Sequence, residues 1–198
     1  MCDTVFQRER FRALRSLLRA IETGLVDPDL IPLLSLINSL QGYYSTSSCS
    51  GRIQLAATHL PGEKFKMIVL SKWHRPIEEW ELKQTLSASK HSDLWLSVQG
   101  PILHIACRDL NCSLNLLEAS RKAGLKHSGI LWIGDRIIVE VTASDKIECP
   151  LRLKGRPLLK EEMIPHFVER INEVLIRAKN RISRLEEEIR KLASQETS

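Results

Sequence analysis

The sequence ILHIAC at residues 102–107 is a short apolar run with the length of a β-strand. Directly after it, residues 110–123 change to helical spacing, with Leu114 and Leu117 on one side. Gly124 then fits the left-handed backbone position that commonly follows a helix. This succession of strand and helix predicts an α/β fold in which helices cover a sheet.

The segments on either side repeat this alternation of short strands and helices. Two strands, a helix and a third strand come before it, and two strands follow around Gly134-Asp135, an arrangement typical of a tight hairpin. The order ββαββαββ predicts one mixed sheet covered by helices. The predicted strands are Ile53–Ala57, Lys66–Leu70, Asp93–Val98, Ile102–Cys107, Ile130–Ile133 and Arg136–Val141, and the helices between them are Ile77–Ser87 and Leu110–Ala123.

Amphipathic helices are predicted at both ends of the chain. Apolar residues recur three and four apart from Phe11 to Leu25, and Pro28 suits the first turn of a second helix. From Glu161 onward, the apolar residues alternate four and three apart, which is the pattern of a coiled-coil seam. The predicted single domain, 1–198, therefore comprises N-terminal helices (1–42), a mixed-sheet catalytic core (43–150) and a long C-terminal helix (161–195).

The composition is that of a folded protein with a basic surface. Its 198 residues are 43% hydrophobic and 27% charged, which argues against disorder, and the formal net charge is +5. Arginines crowd the first helix, and Arg152, Lys154 and Arg156 form a second basic cluster. Such clusters neutralise phosphates and favour a nucleic-acid partner, with a solvated basic surface as the alternative.

We expect a cytoplasmic protein without a membrane span. No stretch approaches the roughly 18 uncharged apolar residues that a membrane helix needs. The charged residues from Asp3 to Arg10 are not followed by the apolar region of a secretory signal. Five cysteines, an odd number without framework spacing, predict reduced thiols. A monomer is favoured because the C-terminal seam most simply packs within the chain.

The polar segment YYSTSSCSGR, residues 43–52, concentrates the side chains that carry chemistry. We predict that it is a loop between a helix and a strand. In such a loop, hydroxyls and backbone N–H groups bind a carboxylate or phosphate, and Arg52 clamps it with two hydrogen bonds. The alternative is a turn whose serines satisfy their own backbone. Composition alone leaves both interpretations open.

Histidines and cysteines offer a second kind of chemistry. His74 follows an apolar strand, His104 lies inside one, and Cys49 lies in the polar segment. A thiol acts as a nucleophile only with a neighbouring base or a lowered pKa, which a sequence does not show. No CxxC or HExxH spacing supports a metal site, and no GxGxxG or GxxxxGKS loop supports a nucleotide site of the Rossmann or P-loop type. We therefore expect no metal.

The polar segment also resembles a known signature. Residues 44–53, YSTSSCSGRI, closely resemble the signature of the tRNA wybutosine-synthesising protein 3 family, in its archaeal form. The likeness continues through residues 102–108 (ILHIACR) and 123–130 (AGLKHSGI), and then through Gly155–Leu158. It therefore spans nearly the whole chain in the family's order.

The resemblance implies a methyltransferase that uses S-adenosylmethionine and has a fold unlike the Rossmann methyltransferases. Members of this family methylate ring nitrogen N4 of the tricyclic wybutosine intermediate, at the base next to the anticodon of tRNA(Phe). The resemblance therefore makes S-adenosylmethionine the expected methyl donor and tRNA(Phe) the expected partner. Ser97 and Gln99 depart from the family's pattern, since many relatives carry a lysine and a glutamate there.

Within this reaction, roles can be assigned to particular residues. A ring nitrogen loses a proton when it is methylated, and a base with a pKa near neutrality suits that task, which favours His104 and His74. The alternatives are a non-catalytic tRNA-binding module and a metal-dependent hydrolase that uses Cys49 with both histidines. We predict catalytic roles for Ser48, Arg52, His74 and His104, donor binding by Ser47, Ser50, Gly51, Lys126, Ser128 and Gly129, and RNA binding by Tyr43, Tyr44, Trp73, Arg152, Lys154 and Arg156.

Overall fold

The computed structural model describes residues 2–62 and 66–196 of the chain. In these ranges the helices are α1 (Cys2–Glu22), α2 (Ile31–Ser39), α3 (Glu79–Ala88), α4 (Leu110–Lys122) and α5 (Ile164–Glu196). The strands are β1 (Tyr43–Cys49), β2 (Arg52–Ala57), β3 (Ile68–Trp73), β4 (Leu94–Gln99), β5 (Ile102–Cys107), β6 (Gly129–Ile133), β7 (Ile137–Thr142), β8 (Lys146–Leu153) and β9 (Arg156–Pro157).

The described residues divide into two compact units, and the first contains residues 2–50, 101–144 and 179–196. Its strands form an antiparallel sheet in the order β1-β5-β7-β6. The core of this unit includes Leu34 of α2, Leu116 of α4 and Leu185 of α5, all fully buried. Asp109 caps α4, because its carboxylate accepts a hydrogen bond from the backbone N–H of Cys112 at 2.8 Å.

The second unit contains residues 51–62, 66–100 and 145–178. Its strands form an antiparallel sheet in the order β3-β2-β4-β8-β9. Leu94, Leu96 and Val98 of β4 are fully buried in the core with Leu82 of α3 and Leu175 of α5. The residues between them on β4 lie on the opposite face of the sheet, because successive side chains of a strand alternate between faces. That opposite face is therefore available for a site.

The long C-terminal helix predicted from the apolar seam is confirmed as α5. Seam residues are buried in the second unit (Ile164, Val168, Ile171 and Leu175) and in the first unit (Ile182, Leu185 and Ile189). The outer face of the helix is charged and carries ion pairs such as Glu188 with Lys191. Among the described helices, none is at once long enough and apolar enough to cross a membrane.

The predicted α/β class is confirmed, and the strands do not have the parallel order of a Rossmann fold. The hairpin around Gly134-Asp135 is confirmed as β6 and β7, which pair antiparallel. The strands form two antiparallel sheets, whereas we predicted one mixed sheet. Apolar periodicity shows which side of a strand is buried, but it does not show which strand lies beside it, so this difference lies in the long-range pairing.

The prediction of a loop over the serine-rich segment is wrong, because Tyr43–Cys49 is strand β1. Serine has little preference for strands, but the partners of a strand outweigh this preference. β1 pairs with β5 along its whole length, from Tyr43 opposite Cys107 to Cys49 opposite Ile102. The hydroxyls therefore lie at fixed positions along a sheet edge.

Candidate functional site

The serine-rich strand β1 is held in place by side chains as well as by its pairing with β5. The register shifts between Ser45 and Ser47, which marks a bulge in β1. The buried amide of Asn38 donates to the Ser45 hydroxyl at 2.8 Å and accepts from the Ser45 backbone N–H at 3.1 Å. The Thr46 hydroxyl donates to the backbone carbonyl of His104 at 3.1 Å. The bulge is therefore fixed, which orients the serines that follow it.

A cavity of about 530 Å³ in the first unit is lined by residues of α1 and by β1. We call it the serine cavity. Its lining carries polar groups from β1, both polar and apolar groups from α1, two apolar residues that follow α1, and Arg136 from the turn between β6 and β7. The lining residues are Glu9, Arg12, Ala13, Ser16, Leu17, Ala20, Leu25, Val26, Tyr44, Ser45, Thr46, Ser47, Ser48 and Arg136.

Two polar atoms of this lining are buried without a hydrogen-bond partner among the described residues: the Tyr44 hydroxyl and Arg136 Nε. The Tyr44 ring packs on Phe6, with ring centroids 5.1 Å apart. Burial is the main cause that raises the pKa of Tyr44, so its hydroxyl keeps its proton at neutral pH. Both atoms are hydrogen-bond donors, and buried donors without an acceptor cost free energy. The serine cavity therefore suits a ligand with acceptor atoms.

A row of polar residues crosses the sheet of the first unit from the serine cavity. Ser47 lies opposite His104, His104 opposite Glu140, and Glu140 opposite Gly129. Ser47 Oγ lies 2.8 Å from His104 Nδ1, and His104 Nε2 lies 3.0 Å from Glu140 Oε2. A carboxylate only accepts hydrogen bonds, so in the neutral imidazole Nε2 donates to Glu140 and Nδ1 accepts from the Ser47 hydroxyl. The row therefore presents a base to a hydroxyl of the cavity lining.

Ser50 and Gly51 have local structural tasks. Ser50 is fully buried, with its backbone N–H donating to Asp27 at 2.7 Å and its hydroxyl accepting from Lys179 Nζ at 2.7 Å. Lys179 also forms an ion pair with Asp29 at 2.5 Å. Gly51 has φ +93°, and a Cβ there would lie 2.8 Å from the backbone oxygen of Gln99. The position after Ser50 therefore requires glycine.

Arg52, Trp73 and His74, which have predicted roles, lie in the second unit. Arg52 begins β2, and its Nε is buried without a hydrogen-bond partner among the described residues. Trp73 ends β3 and packs half-buried against the apolar core. His74 follows it and is also half-buried. The structure thus leaves the polar side chain of Arg52 available for a ligand and gives the Trp73 ring a packing role.

Two of the predicted binding residues are buried in structural roles. Tyr43, which was predicted to bind RNA, lies instead in the core: its ring is 1% exposed and its hydroxyl donates to the backbone oxygen of Cys112 at 3.1 Å. The Ser128 hydroxyl donates to the Leu125 carbonyl at 2.8 Å and accepts from the Thr142 N–H at 3.1 Å, so it ties the segment after α4 to β7. Lys126 is exposed and does not line the serine cavity. Gly129 remains close to the site, as the end of the polar row.

The predicted RNA-binding cluster separates into one structural arginine and two exposed cations. The Arg152 guanidinium donates to backbone oxygens of Leu86 at 2.7 Å and Ser89 at 2.8 Å, at the end of α3. It thereby satisfies carbonyls that the helix leaves unpaired. Lys154 lies in the turn between β8 and β9 and Arg156 begins β9, and both side chains are exposed. A role in RNA binding stays a prediction for these two residues.

Several residues of the site were not predicted from the sequence. Glu140 was counted only as part of a strand, although its alternation with Val139 and Val141 places it on the face opposite the core. Asn38 and Arg136 were given no role in the site, since Asn38 lies near the end of a predicted helix and Arg136 begins a predicted strand. Asp27 was also given no role in the site, and its carboxylate accepts a hydrogen bond from the backbone N–H of Ser50.

Comparison with known proteins matches nearly the whole chain. The family model described as "Methyltransferase TYW3" matches residues 8–191. A protein of Thermococcus sibiricus named tRNA(Phe) 7-((3-amino-3-carboxypropyl)-4-demethylwyosine(37)-N(4))-methyltransferase is 37% identical over 188 residues, covering 94% of this chain and 95% of its own. A protein of Thermococcus kodakarensis, whose name is the same with a final 2, is 41% identical over 180 residues. The match covers 91% of this chain and 85% of that protein. The solved structure of the PH1069 protein from Pyrococcus horikoshii superposes with a TM-score of 0.90 at 34% identity, covering 96% and 98%.

Proposed function

The chain belongs to the TYW3 methyltransferase family, and we propose that it transfers a methyl group from S-adenosylmethionine to ring nitrogen N4 of the demethylwyosine base of tRNA(Phe). The matching family and the named relatives are methyltransferases, which confirms the predicted enzyme class. This class excludes both alternatives, the non-catalytic tRNA-binding module and the metal-dependent hydrolase. The named relatives act on a base that carries a 3-amino-3-carboxypropyl group. The observation that carries the proposal within this structure is the Ser47–His104 pair at the serine cavity.

The serine cavity suits a nucleoside-sized ligand. Its volume of about 530 Å³ lies within the range of about 300–1,000 Å³ that is usual for small-molecule sites. Apolar side chains of α1 offer contact to a flat ring system, and the Tyr44 hydroxyl and Arg136 Nε offer donors to its ring and carbonyl acceptors. We propose that the acceptor base binds here, where Ser47 and Ser48 reach its polar edge.

The chemistry requires a place for the proton of the acceptor nitrogen. S-adenosylmethionine supplies an electrophilic methyl group, and its sulfur keeps the bonding electron pair as a neutral thioether leaves. As N4 forms its bond to the methyl carbon, its proton moves to Ser47 Oγ and the Ser47 proton moves to His104 Nδ1. The resulting imidazolium donates to Glu140 on its other side, which opposes the new positive charge.

Recognition of the tRNA around the base is the second part of the proposal. Lys154, in the turn before β9, and Arg156, at the start of β9, are exposed and neutralise phosphates there without reading sequence. We keep the prediction that Arg52 and Ser48 contact ligand, since Arg52 has a buried unpaired donor and Ser48 lines the serine cavity. A protein that modifies tRNA is expected in the cytoplasm, and a monomer remains our prediction.

The test uses tRNA(Phe) that carries the unmethylated tricyclic base with its aminocarboxypropyl group. The purified protein is incubated with this tRNA and S-adenosylmethionine, and the nucleosides are analysed by mass spectrometry. We expect the gain of one methyl group on the tricyclic nucleoside. A folded protein that leaves the mass of authentic precursor unchanged would show that the proposed reaction is wrong.

A further inference from the structure

A second cavity, of about 250 Å³, lies on the face of the second unit's sheet that points away from the core. We call it the sheet cavity. Its floor is made by alternate residues of β2, β4 and β8, and Met67 and the turn at Pro61-Gly62 complete its wall. A volume below the roughly 300–1,000 Å³ of sites for whole ligands suits one part of a ligand.

The floor residues form cross-strand rows with a definite distribution of charge. The first row is Arg52, Gln99 and Lys146, which places two cations on either side of an amide. The next row is Gln54, Ser97 and Glu148, which places a carboxylate beside neutral polar groups. Successive rows on one face lie roughly 7 Å apart along the strands. The sheet cavity therefore has a cationic end with a carboxylate one row away.

Two buried donors of this cavity lack an acceptor among the described residues. Arg52 Nε belongs to the cationic row, and Trp95 Nε1 lies further along β4. An unsatisfied buried donor costs about 1–3 kcal/mol, more if charged. Lys146 and Glu148 form an ion pair at 3.0 Å, but their side chains are 56% and 32% exposed, so solvent screens this pair and a ligand can replace it. The cavity is thus built for a ligand that brings acceptors.

We propose that the sheet cavity binds an α-amino-acid group, with the carboxylate at Arg52 and Lys146 and the ammonium at Glu148. A guanidinium binds a carboxylate through paired hydrogen bonds, and the Glu148 carboxylate is the nearest group of opposite charge for the ammonium. An anion alone, such as a phosphate, leaves Glu148 as a repulsive neighbour. A zwitterion matches both signs of charge in the floor.

This inference rests on the proposed function, in which two molecules carry this group. S-adenosylmethionine has a 3-amino-3-carboxypropyl group on its sulfur, and the substrate in the relatives' names carries the same group on its base. The site chemistry is the same for both, so binding experiments with paired ligands identify the source. These experiments measure binding without turnover and therefore stand apart from the methylation test.

The first pair of ligands is S-adenosylhomocysteine, which has the amino-acid group, and 5′-methylthioadenosine, which lacks it. The second pair is tRNA(Phe) whose tricyclic base has or lacks the aminocarboxypropyl group. Calorimetry gives the affinity ratio within each pair for wild type, Arg52→Gln and Glu148→Gln. We expect the ratio of one pair to fall at least about tenfold in both variants, while the ligand without the group keeps its affinity within about twofold.

The control is Glu173→Gln, which removes an exposed carboxylate paired with Arg170 on α5 of the same unit. It should leave both ratios unchanged. A fall in the first ratio identifies the methyl donor as the source, and a fall in the second identifies the substrate base. If neither ratio falls in Glu148→Gln, whose exposed position leaves folding intact by thermal melt, the proposal is overturned.

Discussion

The polar row from Ser47 to Glu140 gives the sharpest prediction about catalysis. Glu140→Gln keeps a hydrogen-bond acceptor at 3.0 Å from His104 Nε2 and removes the charge that opposes the imidazolium. The His104 and Glu140 side chains are 29% and 34% exposed. The free energy lost in the variant therefore lies between that of an exposed ion pair and that of a buried charged hydrogen bond. We take about 1.4 kcal/mol, which is about a tenfold fall in kcat with little change in KM.

His104→Ala removes the base itself and should lower kcat by about 10²–10⁴-fold. Because Glu140 acts only through His104, the double variant should be no slower than His104→Ala. Single-turnover methylation of the tricyclic tRNA base measures these rates, and thermal melts measure folding. If the double variant is slower than His104→Ala by the factor that Glu140→Gln shows alone, the inference that Glu140 acts through His104 is refuted. A Glu140→Gln protein that melts early but, in its folded fraction, methylates at the wild-type rate would refute it as well.

Three further predictions concern other parts of the chain. Cys49→Ser should reduce methylation only modestly, within about tenfold, because direct transfer needs no covalent intermediate; a far larger loss in a folded variant would show that the thiol takes part. Changing Lys154 and Arg156 together to Gln should weaken tRNA binding and flatten its salt dependence, measured by filter binding, while an unchanged salt slope would leave them as solvated surface. The pKa of Glu81 is lowered, chiefly by the hydrogen bond from Arg75. The ionised Glu81 side chain therefore stabilises the folded state above its ordinary pKa near 4.5, and this stabilisation is lost as pH falls through the lower pKa of the folded state. The melting temperature of Glu81→Gln should therefore approach that of wild type as the solution is acidified, and a constant difference would contradict this assignment.

The parts of the fold that depend on neighbouring residues were predictable. Helical spacing with Gly124 at the end gave α4, and Gly134-Asp135 between apolar runs gave the β6–β7 hairpin. The pairing of β1 with β5 was not predictable, because its partners lie about 60 residues apart and serine gives no strand signal. The division into two sheets was missed for the same reason. Both errors concern long-range partners, for which periodicity holds no information.

The candidate site shows the same limit at the level of single residues. Resemblance and residue type singled out Ser47 and His104, and the structure places them 2.8 Å apart. Glu140 was not predicted as a site residue, because a glutamate that alternates with valines is typical of the solvent-exposed face of an ordinary strand. Tyr43 and Tyr44 are alike in sequence and were given the same RNA-binding role, but their side chains point to opposite faces of β1. Tyr43 packs in the main core, and Tyr44 lines the serine cavity.

The strand β1 therefore explains why a serine-rich segment serves this chemistry better than a loop. A mobile loop would offer the same hydroxyls, but each binding event would have to order them at a cost of about 1–2 kcal/mol per residue of backbone. On β1, the hydroxyls are already ordered when the protein folds, because Asn38 fixes the bulge and Ser47 pairs with His104. The site thus keeps Ser47 within hydrogen-bond distance of its base before any ligand binds, which is the condition for catalysis by positioning.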